Sequence, residues 1–323
     1  MLTRLLSHRI LRRILSWLGT LLGVAIFVFI MLRAIPGNQI TAGYGVEAAA
    51  LTPEQRAALE AYYGLDKPLF QQFFSWLGNV LTGNLGFSSR AHESVVSLTA
   101  QSLPVTCELA ILTIISSLLI GVPLGMVSAS KPDSARDSFS QCVGLAGLSI
   151  PTFLLGTTLL TFLSSTFSFN PNGAGYAYFT KDPWLNFQQM LLPSLVLAFG
   201  IAAPIMRTTR TAVLEVRSQD FIRTAKAKGI STKRLQVTHV LGNALGPIVT
   251  MTGLQFGYLL GGAVVVEQIF SLPGIGRQVL VGIQQKEYAV VQSTVLLIGL
   301  AFVLVNLVTD LVYRVIDPRV RVE

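Results

Sequence analysis

Three observations predict an all-α, polytopic membrane protein with six transmembrane helices. Hydrophobic residues make up 51% of the chain, charged residues only 12%, and mean hydropathy is +0.60; a soluble domain carries about 25% charged residues. Six apolar runs each approach the ~20 residues that a bilayer crossing needs. Lysines and arginines are distributed unevenly over the segments between those runs. A chain of 323 residues has room for two soluble domains, but the apolar runs favour one membrane unit.

The first run covers residues 14–32 and follows Arg4, Arg9, Arg12 and Arg13. A basic start before an apolar run also describes a secretory signal. This run is longer than the ~7–15 residues of such a signal's apolar region, and no A-x-A site follows, so it is expected to be a retained span. The other spans are expected at 103–128, 140–167, 190–209, 246–267 and 290–315. With the N-terminus inside, 17 of the 24 Lys and Arg residues fall on inner segments. That bias predicts cytoplasmic termini and a cytoplasmic central loop. The net charge of +8 is then mostly a topology signal. Basic residues separated by apolar runs form no continuous patch for nucleic acid.

Between the first two spans lies a long outer segment. Thr52-Pro53-Glu54-Gln55 reads as a capping box with proline in the first turn, and Gly64 closes that helix. A second helix over about 68–81 places Phe70, Phe73, Phe74, Leu77 and Leu81 on one stripe and stops at Gly83. It is too short to cross a bilayer and is expected to lie against the span ends or in the interface. Residues 170–189 read as an irregular outer loop with Trp184 at the interface. Cys107 and Cys142 fall near opposite membrane faces, too far apart for a disulfide.

Within the fifth span, Gly253, Gly257 and Gly261 recur every fourth residue and share one face. Small residues there let helices approach closely in lipid. Gly121 and Gly125 repeat the pattern in the second span. Pro123, Pro151, Pro193, Pro204 and Pro247 can kink or end spans. Glu108 and Asp310 approach span ends, and no acid stands at a midplane, which counts against a proton- or ion-coupled carrier or channel. No HExxH, G-x-S-x-G, CxxC or GxxxxGK[ST] motif is present, so no enzyme is indicated. His8, His92 and His239 are too scattered to suggest a metal site.

The central loop, residues 207–241, carries Arg207, Arg210, Arg217, Arg223, Lys226, Lys228, Lys233 and Arg234 against Glu215 and Asp220. Residues 213–228 are predicted as one helix, with Leu214, Ser218, Phe221 and Ala225 on a small or apolar face. Gly229 ends it and Ser231 caps a second helix. Such an insert suits contact with a soluble partner.

Asp220-Phe221-Ile222-Arg223-Thr224-Ala225-Lys226-Ala227-Lys228-Gly229, followed by His239, Leu241, Asn243-Ala244-Leu245 and Pro247, resembles the EAA loop of permease subunits in ATP-binding-cassette importers. Flanking motifs narrow this to the B-type subunit of the dipeptide, oligopeptide and nickel branch. They include Leu32-Arg33-Ala34-Ile35-Pro36-Gly37, Tyr63-Gly64-Leu65-Asp66-Lys67-Pro68, Gly83-Asn84-Leu85-Gly86 and Gly121-Val122-Pro123-Leu124-Gly125. Glu267-Gln268-Ile269-Phe270, Pro273-Gly274-Ile275-Gly276 and the tail Asp317-Pro318-Arg319-Val320-Arg321 complete the set. Arg223-Thr224-Ala225 stands where the general motif has Glu-Ala-Ala, and Gly242 stands where it has proline.

The resemblance implies a type I importer (MetI-like) permease fold with an extracytoplasmic helical insertion between helices one and two. Residues 1–33 would be the N-terminal segment and first span, 34–102 the insertion and 103–323 the five-helix core. It further implies an inner-membrane protein paired with a homologous C-type permease, two cytoplasmic ATPase subunits and an extracytoplasmic solute-binding protein. ATP and Mg would sit on the ATPases, leaving no cofactor on this chain. The ATPase-coupling residues would be Asp220, Phe221, Arg223, Thr224, Ala225, Lys226, Ala227, Lys228 and Gly229. Peptides or peptide-like solutes are the expected cargo, with nickel or a metal chelate as the alternative within the family.

Overall fold

The computed structural model describes residues 2–34, 40, 50–62, 64–168, 170, 171, 173 and 175–316. The tail motif from Asp317 and residues 35–37 of the first motif lie outside these. The fold is mostly helical: α1 (Leu2–Ala34), α2 (Pro53–Tyr62), α3 (Leu69–Leu81), α4 (Val95–Ser130), α5 (Ala135–Ser149), α6 (Thr152–Phe167) and α7 (Pro183–Ser218). Then follow α8 (Asp220–Ala227), α9 (Thr232–Arg234), a π-type run Leu235–Leu241, α10 (Gly242–Ile269), α11 (Ile275–Gln284) and α12 (Tyr288–Ile316). A short antiparallel pair, β1 (Phe87–Ser88) and β2 (Glu93–Ser94), precedes α4, with Phe87 opposite Ser94. Nothing in the sequence pattern had pointed to this pair.

Four described helices are long and apolar enough to cross a bilayer: Leu15–Ala34, Val95–Ser130, Pro183–Ser218 and Tyr288–Thr309. Two bent pairs raise the number to as many as six. Ala135–Ser149 and Thr152–Phe167 meet at 95°, and Thr232–Leu259 and Ala263–Ile269 at 55°.

The first bend breaks the helix expected over 140–167 into two. Ile150 is extended (φ −83°, ψ 118°) and Pro151 begins the next helix. Proline excludes the residue before it from the helical region, so the helix ends there. By contrast α7 passes through Pro193 and Pro204 without breaking and outruns the expected 190–209. Its start is fixed early: Asp182 accepts the Leu185 amide at 3.0 Å, and Pro183 opens the first turn. The irregular loop is therefore shorter than 170–189, and Trp184 lies on the helix, stacked on Phe187.

The chain divides into two compact units, one of residues up to Pro104 with Pro273–Val303, the other of Val105–Leu272 with the chain from Leu304. In the first, the capping box forms as the sequence predicts. The Thr52 amide donates to Gln55 Oε1 at 3.0 Å, and the Gln55 amide donates to Thr52 Oγ1 at 3.2 Å. Helix α3 also forms where expected, but only part of its apolar stripe packs inward. Phe73 and Trp76 meet Phe29 of α1, whereas Phe70 and Phe74 stay 62% and 66% exposed. Its rotation is fixed by Gln72, whose Oε1 accepts from Arg33 Nε and Nη2. Glu287 closes the hairpin onto the segment before α12 by accepting from Ser88 Oγ and the Arg90 amide.

The second unit is assembled on α7, much of which is buried. A Cβ on Gly121 would come within 2.7 Å of the Ala202 carbonyl, and one on Gly125 within 2.6 Å of the Met206 carbonyl. Gly147 of α5 approaches the Phe199 carbonyl equally closely. Backbone-to-backbone contact of this kind is how helices associate in lipid. Gly253 of α10 meets Thr309 of α12, and Gly257 is buried; the surroundings of Gly261 and of Asp310 lie outside the described residues. Cys107 and Cys142 are free.

Gly125→Leu should destabilise the purified chain by about 1–3 kcal/mol through overpacking. Gly19, which has nothing within 4 Å, should tolerate alanine within about 0.5 kcal/mol. Chemical unfolding in detergent micelles checks both; equal midpoints would contradict the packing.

Candidate coupling site

The central loop is not one helix over 213–228. Gln219 is extended (φ −72°, ψ 147°), so α7 stops at Ser218 and the short helix α8 leaves at an angle. At its far end Gly229 has φ +73°, a conformation that costs a side-chain-bearing residue energy. The Gly229 amide donates to the Lys226 carbonyl and the Ile230 amide to the Ala225 carbonyl, which closes the helix. Ser231 stands at the next N-cap without a side-chain bond, and the return to α10 runs through the π-type turns.

The inner side of α8 is made by Ile222 and Ala225, both buried. They pack with Ala129, Ala212, Val213, Leu235, Val240, Ala244 and Ile248. Ala225, expected on the small docking face, therefore faces its own protein, and Ile222 takes the place assigned to Phe221. The heptad-like count fails because the break at Gln219 resets the helical phase. Outward stand Asp220, Phe221, Arg223, Thr224, Lys226, Ala227 and Lys228, with Phe221 46% exposed. Asp220 and Arg223 form a fully solvated ion pair at 3.5 Å, which contributes little. An exposed phenyl ring among basic side chains has the composition typical of contact surfaces, an apolar centre with a charged rim.

Behind this surface lies an ion pair that the sequence reading left unassigned. Asp137, near the start of α5, is 1% exposed. Arg210 of α7 grips it with two bonds, Nε to Oδ1 at 3.0 Å and Nη2 to Oδ2 at 2.8 Å. Ser128 Oγ and Gln141 Nε2 donate to Oδ1, and the Asp133 amide donates to Oδ2. Every lone pair of the carboxylate is directed at a donor, as a buried charge requires. Arg217, in the last turn of α7, donates to the Ala129 carbonyl at the end of α4. Arg210 and Arg217 had been counted as parts of a polar loop; the structure makes them the fastening between α4, α5 and α7. The available signal was Asp137 itself, an acid beside an apolar run with no local cation to solvate it except Arg136.

Two further polar clusters lie towards the other end of this unit. Glu108 accepts from Tyr176 Oη (3.4 Å) and Asn186 Nδ2 (3.3 Å). Burial first, then the Glu108 carboxylate, raises the Tyr176 phenol above its ordinary range, so it remains a donor. Gln189 pins the same loop through the Ala177 amide and the Gly175 and Pro171 carbonyls. Glu267, in the last turn of α10 and fully buried, accepts from Thr106 Oγ1 at 2.6 Å. Among the described residues no group of His, Cys, Asp and Glu is placed to hold a metal ion.

Residues 121–322 match the family described as "Binding-protein-dependent transport system inner membrane component", and residues 6–110 match its N-terminal companion. The chain belongs to this family. It is 35% identical over 312 residues to the glutathione transport system permease protein GsiC of Escherichia coli K12, covering 97% of this chain and 98% of that one. The GsiC protein of Pectobacterium atrosepticum is 36% identical over 311 residues, covering 96% and 98%. In fold the permease is similar to a chain of the MetNI methionine ABC transporter in an inward-facing conformation. That match has TM-score 0.55 and 16% identity, and covers 72% of this chain and 100% of that one. The protein is thus a multi-pass inner-membrane permease component of an ABC importer. Such permeases work with further permease and ATPase subunits and a binding protein, and hydrolysis of ATP belongs to the ATPase subunits.

Removing one side of the Asp137–Arg210 pair should hurt more than removing both. Arg210→Gln leaves a buried carboxylate without its cation, so its unfolding midpoint should fall on the order of 5 °C. The joint Asp137→Asn, Arg210→Gln variant should recover part of that loss. Thermal unfolding of the four proteins gives the coupling between the residues; additive losses would show that the pair is not a unit.

Proposed function

We propose that this chain is the B-type half of the translocation pathway of an importer for di- and oligopeptides or peptide-like solutes. Its six spans would place both termini in the cytoplasm, the segment 34–102 outside and the loop 207–241 inside. A homologous C-type permease forms the other half of the pathway. Two cytoplasmic ATPases bind ATP and Mg, and an extracytoplasmic binding protein delivers cargo.

The observation that carries this reading is α8: a short helix with its inner face sealed into the permease and its outer face exposed around Phe221. Docking of that face in a groove on an ATPase supplies the contact. Asp220, Phe221, Arg223, Thr224, Lys226, Ala227 and Lys228 make it, Ala225 anchors it from behind, and Gly229 sets its exit angle. The cargo class is supported by full-length similarity to permeases that carry a glutathione transport name, since glutathione is peptide-like. Gly253, Gly257 and Gly261 serve close helix packing in the pathway wall.

Mechanically, closure of the ATPases draws the two loops together, and each loop moves α7 and α10 with it. Reversing a gate from about 1:99 to 99:1 requires roughly 5.5 kcal/mol of differential contact. That work must cross α8.

Phe221→Asp and Gly229→Val should each lower cargo uptake on the order of tenfold, equivalent to ~1.4 kcal/mol of lost coupling, with membrane insertion retained. The assembled importer in proteoliposomes tests this by comparing uptake with ATP hydrolysis; wild-type coupling in both variants would remove the docking assignment. Cysteine at Thr224 should label only from the cytoplasmic side and cysteine at Asn79 only from outside. Stimulation of ATP hydrolysis should appear with peptides or glutathione; stimulation by a nickel chelate alone would move the cargo to metal.

A further inference from the structure

Helices α1 and α3 enclose a groove of about 550 Å³. Its walls are Ile26, Ile30, Leu69, Phe70 and Phe74, all exposed, and Arg33 stands on the last turn of α1 at its end. The volume falls among those of small-molecule pockets, ~300–1,000 Å³. The wall residues of α1 belong to the final turns of the apolar stretch Leu15–Ala34, whose mean hydropathy is 2.4. The groove therefore opens at the rim of the hydrocarbon layer, where acyl chains meet headgroups.

The charge at its end is the informative part. Arg33 Nε and Nη2 donate to Gln72 Oε1 at 3.1 and 2.9 Å, and Nη1 donates to the Phe29 carbonyl at 3.4 Å. The guanidinium lies 3.5 Å from the Phe29 ring centroid and 5.5 Å from that of Tyr288. Each of these partners is neutral, and among the described residues no carboxylate pairs with Arg33. A guanidinium has five N–H donors, so two remain after these three bonds. A fixed cation with two spare donors beside an apolar trough asks for an anion carrying a long apolar tail.

We propose that this groove binds an anionic phospholipid, with an acyl chain along Ile26, Ile30, Phe70 and Phe74 and the headgroup phosphate on Arg33. Phosphate accepts two N–H bonds from one guanidinium in the planar fork geometry that arginine offers. Stacking on Phe29 and the Gln72 bonds hold that fork in place before the lipid arrives, which lowers the ordering cost of binding. A helix from a second protein would match the apolar walls, but it would need its own acid opposite Arg33. A phospholipid carries both the charge and the tail. The leaflet rests on the proposed topology, which makes it the outer one; the site itself does not.

Native mass spectrometry of the full chain, purified with whatever subunits accompany it, tests the proposal with phosphatidylglycerol and phosphatidylcholine as probes. Wild type should retain phosphatidylglycerol about tenfold better than phosphatidylcholine. Arg33→Gln should bring the two lipids within about twofold of each other, and Arg33→Lys, which keeps the charge but loses the stacked two-donor fork, should restore only part of the preference. Ile30→Trp, which fills the trough and leaves the charge, should lower retention of both. Equal retention of phosphatidylglycerol by wild type and Arg33→Gln would overturn the site, as would an Ile26→Cys disulfide to another protein chain. Labelling of Asn79→Cys reports the leaflet separately, so an inverted topology would leave the lipid result standing.

Discussion

Backbone contact against α7 is the constraint on which the second unit depends. Gly121 and Gly125 bring α4 onto the carbonyls of Ala202 and Met206, and Gly147 brings α5 onto that of Phe199. In lipid there is no hydrophobic gain in choosing one apolar helix over another, so tight van der Waals fit decides the partners. A helix gripped in this way from two sides resists bending. That explains how α7 runs through two prolines as a continuous rod, although each removes a backbone donor. The same rigidity gives α8 a firm base at the C-terminal end of α7.

How that end is fastened follows from chemistry that glycine packing cannot supply. Beside the apolar cluster around Ala212 and Val213, Asp137, Arg210 and Arg217 add directional bonds to that end. Burying a carboxylate is costly unless its partners are fixed and complete. Here the two guanidinium bonds, two side-chain donors and a backbone amide all arrive from elements that already meet. A directional lock of this kind sets one relative position of α4, α5 and α7, whereas small residues alone would allow sliding.

The sequence made the helical class, most helix locations and the capping box at Thr52 legible, because these depend on local periodicity and short-range hydrogen bonds. The end of α8 was legible through Gly229, whose positive φ only glycine adopts cheaply. The helix's facing was not. A phase counted from Leu214 through Phe221 assumes unbroken turns, and the extended Gln219 interrupts them, so Ile222 and Ala225 turn inward. At α3 the apolar stripe is divided: Phe73 packs on Phe29, while Phe70 and Phe74 stay exposed. Periodicity marks such a stripe but not how much of it finds a partner. The Asp137–Arg210 pair joins residues 73 positions apart, a separation at which no local pattern marks a partner.

The inward turn of Ala225 changes how force can cross the loop in the proposed importer. Had both alanines faced the ATPase, α8 would be tethered to the permease only by its two chain ends. A hinge at Gln219 and another at Gly229 would then absorb much of any displacement. Instead Ile222 and Ala225 are embedded among Val213 of α7, Leu235 and Val240 of the π-type run and Ala244 and Ile248 of α10. Close-packed apolar groups transmit displacement because interiors are nearly incompressible. The exposed Asp220–Arg223 pair could not do this, since solvent screens it and its side chains are free to part. The wide turns of Leu235–Leu241 fit the same scheme: they bring Leu235 and Val240 onto the back of α8, so a push on Phe221 reaches α7 and α10 together. Two spans leaving one lever are the minimum for tilting a wall of the pathway without stretching it.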